Sequence, residues 1–113
     1  MSPKAKQRTS GCCAPKARTP ASELARSVAL LKALADETRL EIVRLLARAS
    51  SGELCACELE EHFELSQPTI SHHLRVLRQA GVVRGERRGT WVHYTLAPEA
   101  LDALERCCAE LRR

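Results

Sequence analysis

Residues 66–80 have the sequence SQPTISHHLRVLRQA, which predicts a polar turn followed by an amphipathic helix. Ser66 can cap this helix by accepting a hydrogen bond from a free backbone N–H, Pro68 suits its first turn, and Gly81 suits the position just beyond its end. One face is apolar, with residues spaced three and four apart: Ile70, Leu74 and Leu77. The polar side chains are of a size to reach phosphates and base edges in a DNA major groove. The predicted DNA contacts on this segment are Ser66, Gln67, Thr69, Ser71, His72, His73, Arg75 and Arg78.

The sequence on either side of this segment predicts the rest of a winged helix-turn-helix. Residues 55–63 carry a short helical pattern, and two short helices joined by a turn form a helix-turn-helix. Residues 82–84 and 91–96 are rich in β-branched or aromatic side chains, and the glycine-containing segment 85–90 between them predicts a turn. A hairpin in this position is a wing. Its tip carries two candidate phosphate contacts, Arg87 and Arg88.

The remaining segments complete one small domain. Residues 1–20 are predicted to form a basic arm without periodicity, and residues 21–113 a domain for DNA binding and dimerisation. Ser22 is predicted to cap a first helix, Asp36 a second, and Pro98 opens the last. The predicted fold class is mostly α with a β-hairpin wing: four helices, two strands and a fifth helix.

The charges are divided unevenly along the chain. The net charge is +4, made up of +5 in residues 1–20, +4 in residues 66–94 and −5 elsewhere. A basic recognition unit on a mildly acidic body confines electrostatic attraction for DNA to one surface.

The composition argues against several other classes of protein. Only Phe63, Trp91 and Tyr94 are aromatic, which argues against binding single strands by base stacking. No apolar run approaches the roughly 20 residues of a membrane span, and the N-terminal sequence has no hydrophobic signal region. We therefore expect a cytoplasmic protein. No nucleophile–base motif or phosphate-binding glycine loop indicates an enzyme.

The first and last helices carry more apolar surface than a domain of this size needs. Leu24, Val28 and Leu31 share one face of the first helix. The stripe on the last helix consists of Leu101, Leu104, Cys108 and Leu111. A symmetric homodimer would bury both faces and place two recognition helices in successive major grooves of palindromic double-stranded DNA.

Six cysteines form three clusters: Cys12-Cys13, Cys55-x-Cys57 and Cys107-Cys108. Their spacings match neither structural zinc sites nor the C-x-x-C redox motif. Thiolates select soft metals and metalloids. Cys55 and Cys57 can share one ion only if Cys55 lies at or before the helix start, whereas two adjacent cysteines on the arm can both turn to one centre. These considerations favour a site that joins Cys12, Cys13 and Cys55, with Cys57 as a less certain fourth ligand. The third cluster is an accessory alternative.

Three segments resemble the ArsR/SmtB family of metal-responsive repressors: 34–42 (LADETRLEI), 53–59 (ELCACEL) and 66–74 (SQPTISHHL). The resemblance implies a dimeric winged helix that binds its operator without metal and releases it when metal binds. Glu60 stands where the arsenic sensors that bind within one helix carry a third cysteine. The arm pair instead resembles a second arsenic-sensor type, in which two arm cysteines join one helix cysteine across the dimer. Residues 98–113 lack the pattern of the family's zinc sensors.

The resulting hypothesis is a repressor whose inducer, As(III) or Sb(III), binds three thiolates. One alternative is a Cd(II)- or Pb(II)-responsive repressor that uses four thiolates. Another is a DNA-binding regulator switched by thiol oxidation. Whether the arm reaches Cys55 of its own subunit or of the other, and whether inorganic or organic arsenicals are preferred, stays open at this point.

Overall fold

The computed structural model describes residues 21–112, which form five helices and a three-stranded antiparallel sheet. The elements in chain order are α1 (Ala21–Leu34), α2 (Glu37–Arg48), β1 (Glu53–Cys55), α3 (Ala56–Phe63), α4 (Gln67–Gln79), β2 (Val83–Arg88), β3 (Trp91–Leu96) and α5 (Pro98–Leu111). The predicted winged helix-turn-helix is confirmed, with one strand more than the sequence indicated. Among the described helices, none combines the length and apolarity that crossing a bilayer requires.

The caps predicted for the middle helices are confirmed. Asp36 precedes α2 and accepts a hydrogen bond from the backbone N–H of Arg39 at 3.1 Å. Ser66 precedes α4 and accepts one from the backbone N–H of Thr69 at 3.3 Å. Each cap satisfies a helix N-terminal N–H that has no partner within the helix. The prediction for Ser22 was wrong, because α1 already begins at Ala21 and Ser22 lies in its first turn.

The recognition helix α4 ends as its sequence predicted. Gly81 has φ +82°, a left-handed conformation that glycine adopts without steric cost. The N–H of Gly81 donates to the carbonyl of Arg78 at 3.0 Å, and that of Val82 to the carbonyl of Leu77 at 2.9 Å. These two bonds form a Schellman motif, which satisfies carbonyls at the end of the helix and turns the chain into β2.

The sheet differs from the predicted hairpin in two respects. β2 extends to Arg88, which pairs with Trp91, so the predicted turn at 85–90 is reduced to Gly89 and Thr90. The third strand, β1, pairs with β3 in the register Glu53↔Thr95, Leu54↔Tyr94 and Cys55↔His93. The strand order is therefore β1-β3-β2, with the segment before α3 fixed to the wing.

The core lies where α1, α2, α4 and the sheet meet. Its fully buried side chains include Leu30, Ile42, Leu46, Leu59, Ile70, Leu77, Val82 and Val83. The apolar face of α4 predicted from the sequence is confirmed, since all three of its residues are buried. α5 contributes Ala100 and Ala103 to the core. Of its predicted stripe, Leu104 packs against the core, whereas Leu101, Cys108 and Leu111 are exposed.

Candidate DNA-binding face and thiol site

The polar face of α4 is presented to solvent. Seven of the eight predicted DNA contacts in this segment are exposed: Ser66, Gln67, Thr69, Ser71, His72, Arg75 and Arg78. Because the apolar face of α4 is held against the core, its polar side chains are displayed together on a rigid element. A helix with this division of faces can enter a major groove.

His73, the eighth predicted contact, is placed differently. Its side chain is only 14% exposed and faces the start of α2. Its Nδ1 atom lies 3.3 Å from Nη1 of Arg39 and 3.8 Å from Oδ2 of Asp36. Helical spacing could have predicted this partial burial. His73 lies three residues after Ile70 and four before Leu77, and therefore beside the apolar face of α4.

The two wing arginines have different environments. Arg87 is exposed and, within residues 21–112, forms no ion pair. The guanidinium of Arg88 donates to both carboxylate oxygens of Glu53 at 2.7 and 3.0 Å, and to Glu86 at 3.0 Å. These hydrogen bonds lower the pKa of the Glu53 carboxyl and raise the pKa of Arg88. The wing therefore displays Arg87 freely while Arg88 ties the wing to β1. Arg84, at the wing base, pairs with Glu99 of α5.

Cys55 occupies the junction between β1 and α3. It is the last residue of the strand and the N-cap of the helix, and only 7% of it is exposed. Its backbone N–H donates to Oε1 of Glu58 at 2.8 Å, which fixes the residue outside the helix. Cys55 therefore lies before the first helical residue of α3, which is the condition for the sulfurs of Cys55 and Cys57 to converge.

The structure joins Cys55 and Cys57 in a disulfide, with their Cα atoms 5.3 Å apart. Both residues are predicted thiol ligands, and the disulfide differs from that expectation. Its physical reason is the extended conformation of Cys55 before the helix, which brings the two side chains to the same side. Reduction of this bond yields two thiols at the start of α3.

The other described cysteines lie on α5, where Cys107 is half-buried and Cys108 is exposed. Cys12 and Cys13 lie outside the described residues. Within residues 21–112, no three His, Cys, Asp or Glu side chains are grouped to hold a metal ion.

Sequence reasoning missed the contacts that connect these sites to the rest of the fold. Glu53 was not singled out, because a three-residue strand carries no readable periodicity of its own. Asp36 was identified only as a cap, and its proximity to His73 depends on how α2 packs against α4. These residues belong to the site through tertiary contacts.

Comparison with known proteins agrees with this architecture. Residues 36–84 match the family described as bacterial regulatory protein, arsR family. The arsenic resistance transcriptional regulator ArsR1 of Pseudomonas putida is 53% identical over 70 residues, which cover 62% of this chain and 53% of that protein. The chain thus spans about half the length of this relative.

Two further similarities cover more of the related proteins. The arsenical resistance operon repressor of Bacillus subtilis is 42% identical over 80 residues, covering 68% of this chain and 74% of that protein. HlyU from Vibrio cholerae is a structural neighbour with a TM-score of 0.65 and 35% identity, covering 83% of this chain and 100% of that chain. With the fold, the recognition helix and these similarities together, the chain belongs to the ArsR family of bacterial regulatory proteins.

Proposed function

We propose that this chain is a transcriptional repressor that binds a palindromic operator as a homodimer and releases it when As(III) or Sb(III) binds its cysteines. The observation that carries the proposal is the placement of Cys55 at the N-terminus of α3, the helix that packs against α4. A ligand at this sulfur acts on the helix that supports the DNA-reading helix. The names of the arsenic-resistance relatives favour the same inducer.

The exposed face of α4 supports the DNA-binding part of the proposal. Thr69, Ser71 and His72 lie in its N-terminal half and can read base edges, while Arg75 and Arg78 suit phosphates. Arg87 extends the basic surface to the wing. Each phosphate contact releases counterions, so we expect binding to weaken steeply with salt.

The dimer is supported by apolar side chains that the single chain leaves exposed. On α1, Leu24 is 57%, Val28 41% and Leu31 50% exposed, and on α5 Leu111 is 81% exposed. These helices contact each other at one side of the domain. Exposed apolar side chains on two adjoining helices favour association with a second copy, and a two-fold axis at this side would pair the recognition helices.

The proposed inducer site combines Cys55 with Cys12 and Cys13 of the arm. Arsenite, As(OH)₃, reacts with three thiols: three As–S bonds replace the three As–O bonds, and each departing hydroxyl group leaves with a thiol proton as water. Soft thiolate ligands suit this metalloid, and the buried position of Cys55 protects its bond from competing water. A coupling free energy of about 3 kcal/mol between the two sites would lower operator affinity roughly 150-fold.

The test uses a fluorescent duplex selected by the reduced protein from a randomised library. Fluorescence anisotropy is followed while arsenite, antimonite, cadmium, lead or zinc is added separately. Arsenite and antimonite should release the duplex. Release by cadmium or lead at lower concentrations would instead support the four-thiolate alternative that includes Cys57.

Variants separate the arm site from the other cysteines. Replacing Cys12 and Cys13 together by serine should leave duplex affinity unchanged and abolish release by arsenite. The matched control replaces Cys107 and Cys108 by serine and should keep both properties. Full arsenite release from the arm variant would contradict the proposed site.

A second candidate function is favoured by the disulfide between Cys55 and Cys57. Two-electron oxidation of the two thiols by a peroxide forms this bond and reduces the peroxide to water or an alcohol. If oxidation itself controls DNA binding, peroxide should release the duplex from protein that arsenite does not affect. The same anisotropy assay distinguishes the two regulators.

A further inference from the structure

The side chain of His73 connects three helices. Nη1 of Arg39 lies 3.3 Å from its Nδ1 atom, and Nε of Arg39 donates to the carbonyl oxygen of Ala33 at 2.6 Å. Asp36, 3.8 Å from the same imidazole nitrogen, caps α2 through the backbone N–H of Arg39. The end of α1, the start of α2 and the middle of α4 are therefore joined by one polar cluster.

The chemistry of Arg39 defines the direction of its contact with the imidazole. A guanidinium has donors and no acceptor, so Nδ1 of His73 accepts from Arg39. The carboxylate of Asp36 is beyond direct hydrogen-bonding distance and adds its charge beside Arg39. Arg39 thus bridges a carbonyl of α1 and a side chain of the recognition helix.

The adjacent His72 provides a contrast within the same helix turn. Its side chain is exposed, whereas 14% of the His73 side chain is accessible. Successive residues on a helix point in directions about 100° apart, so the two imidazoles project from α4 in different directions. His72 is placed to face DNA, and His73 is placed to face α2.

We propose that His73 is a positioning residue that fixes the recognition helix relative to α1 and thereby sets the half-site spacing that the dimer accepts. The inference rests on the proposed function, since it requires operator binding and a dimer formed through the α1 face. A symmetric dimer places its recognition helices about 34–36 Å apart only if each is held at a defined angle to the interface helices. The contacts of Arg39 with Ala33 and His73 supply that constraint.

The test compares spacing discrimination in matched variants. A duplex selected by the wild-type protein from a randomised library is remade with one base pair inserted or removed between its half-sites. The spacing preference is the affinity for the original duplex divided by the affinity for an altered one, and we expect His73→Ala to lower this ratio at least tenfold. The salt dependence should be unchanged, since no phosphate contact is removed. His72→Ala, the control, should keep the preference and weaken binding to all three duplexes.

A double-mutant cycle identifies the partner of His73. Arg39→Gln should reproduce the spacing defect of His73→Ala, and the double variant should be within about twofold of either single one, because both remove the same contact. Arg39→Gln combined with His72→Ala should be additive. In His73→Asn, the side-chain oxygen Oδ1 is an acceptor the same number of bonds from the backbone as Nδ1 of histidine. This variant should therefore show the spacing preference that His73→Ala lacks.

The outcomes separate this inference from the proposed function. Uniform weakening of all three duplexes by His73→Ala with a shallower salt dependence would show a direct DNA contact and overturn the positioning role. Failure of His73→Asn to restore the preference would overturn it as well, even if His73→Ala does not fold. Failure of the wild-type protein to select any duplex would overturn the proposed function itself.

Discussion

Asp36 combines two tasks in one side chain. It caps α2 through the backbone N–H of Arg39, and it contributes negative charge beside Arg39 and His73. The backbone hydrogen bond from Arg39, with the charge of the Arg39 guanidinium, lowers the pKa of this carboxyl against the opposing effect of burial. The folded protein therefore favours the ionised form.

Replacement of Asp36 by alanine should lower the free energy of unfolding by about 1 kcal/mol, because the N-cap is lost. Asp36→Asn keeps the cap without the charge and serves as the control. Since the folded pKa is depressed, the advantage of wild type over Asp36→Asn should be complete above the ordinary pKa of aspartate, near 3.9, and disappear as the pH falls through the lower folded value. Urea denaturation between pH 3 and 7 measures both effects. A pH-independent difference would exclude the charge contribution.

At the scale of elements, β1 connects the thiol site to the wing. Cys55 and Glu53 lie in this strand, and the side chain of Glu53 holds Arg88 of β2 through two hydrogen bonds. Because β3 lies between these strands, the contact crosses the sheet. An arginine held in this way is less available to a DNA phosphate than Arg87.

Glu53→Gln should release Arg88 for contact with DNA. Its salt dependence of duplex binding should steepen by about one unit in the log–log plot, the increment for one added phosphate contact. Removing a negative charge could also strengthen binding without Arg88, so the comparison is repeated in an Arg88→Ala background. Anisotropy titrations from 50 to 200 mM salt give the slopes. Equal steepening in both backgrounds would contradict release of Arg88.

The helices could be predicted closely from sequence because their signals are local. Ser66, Asp36 and Gly81 each act through backbone groups within a few residues. β1 could not be predicted, because its three residues gain strand structure only by pairing with residues 93–95, about forty positions further along the chain. The exposed face of α4 followed from helical periodicity, whereas the orientation of His73 depends on α2.

At the scale of the whole molecule, the exposed leucines of α1 and α5 determine the assembly that we propose. These leucines are exposed, whereas Leu30 of α1 and Ala100 and Ala103 of α5 are buried in the core. α5 packs inward through its alanines and Leu104, so Leu101 and Leu111 remain available for a second copy. The sequence pattern indicated this excess apolar surface, and the structure shows which side chains form it.

Leu31→Glu should convert the dimer into a monomer by placing a charge on the α1 face. Loss of the second half-site should weaken duplex binding by about a hundredfold, since bivalent attachment is lost. Leu40→Glu is the matched control, because Leu40 is similarly exposed but lies on α2. Sedimentation velocity gives the oligomeric state and anisotropy gives the affinity. A dimeric Leu31→Glu protein with wild-type affinity would contradict the proposed interface.

The bond between Cys55 and Cys57 has a consequence for the shape of the inducer response that we propose. A sulfur held in a disulfide cannot coordinate a metalloid, so an oxidised subunit does not respond until it is reduced. Mixtures of oxidised and reduced protein should therefore differ in the maximal fraction of DNA released, while the arsenite concentration for half-maximal release stays the same. In a cell under oxidative stress, such a repressor would release a smaller maximal fraction of its DNA. The arsenite concentration that gives half of this release would be unchanged.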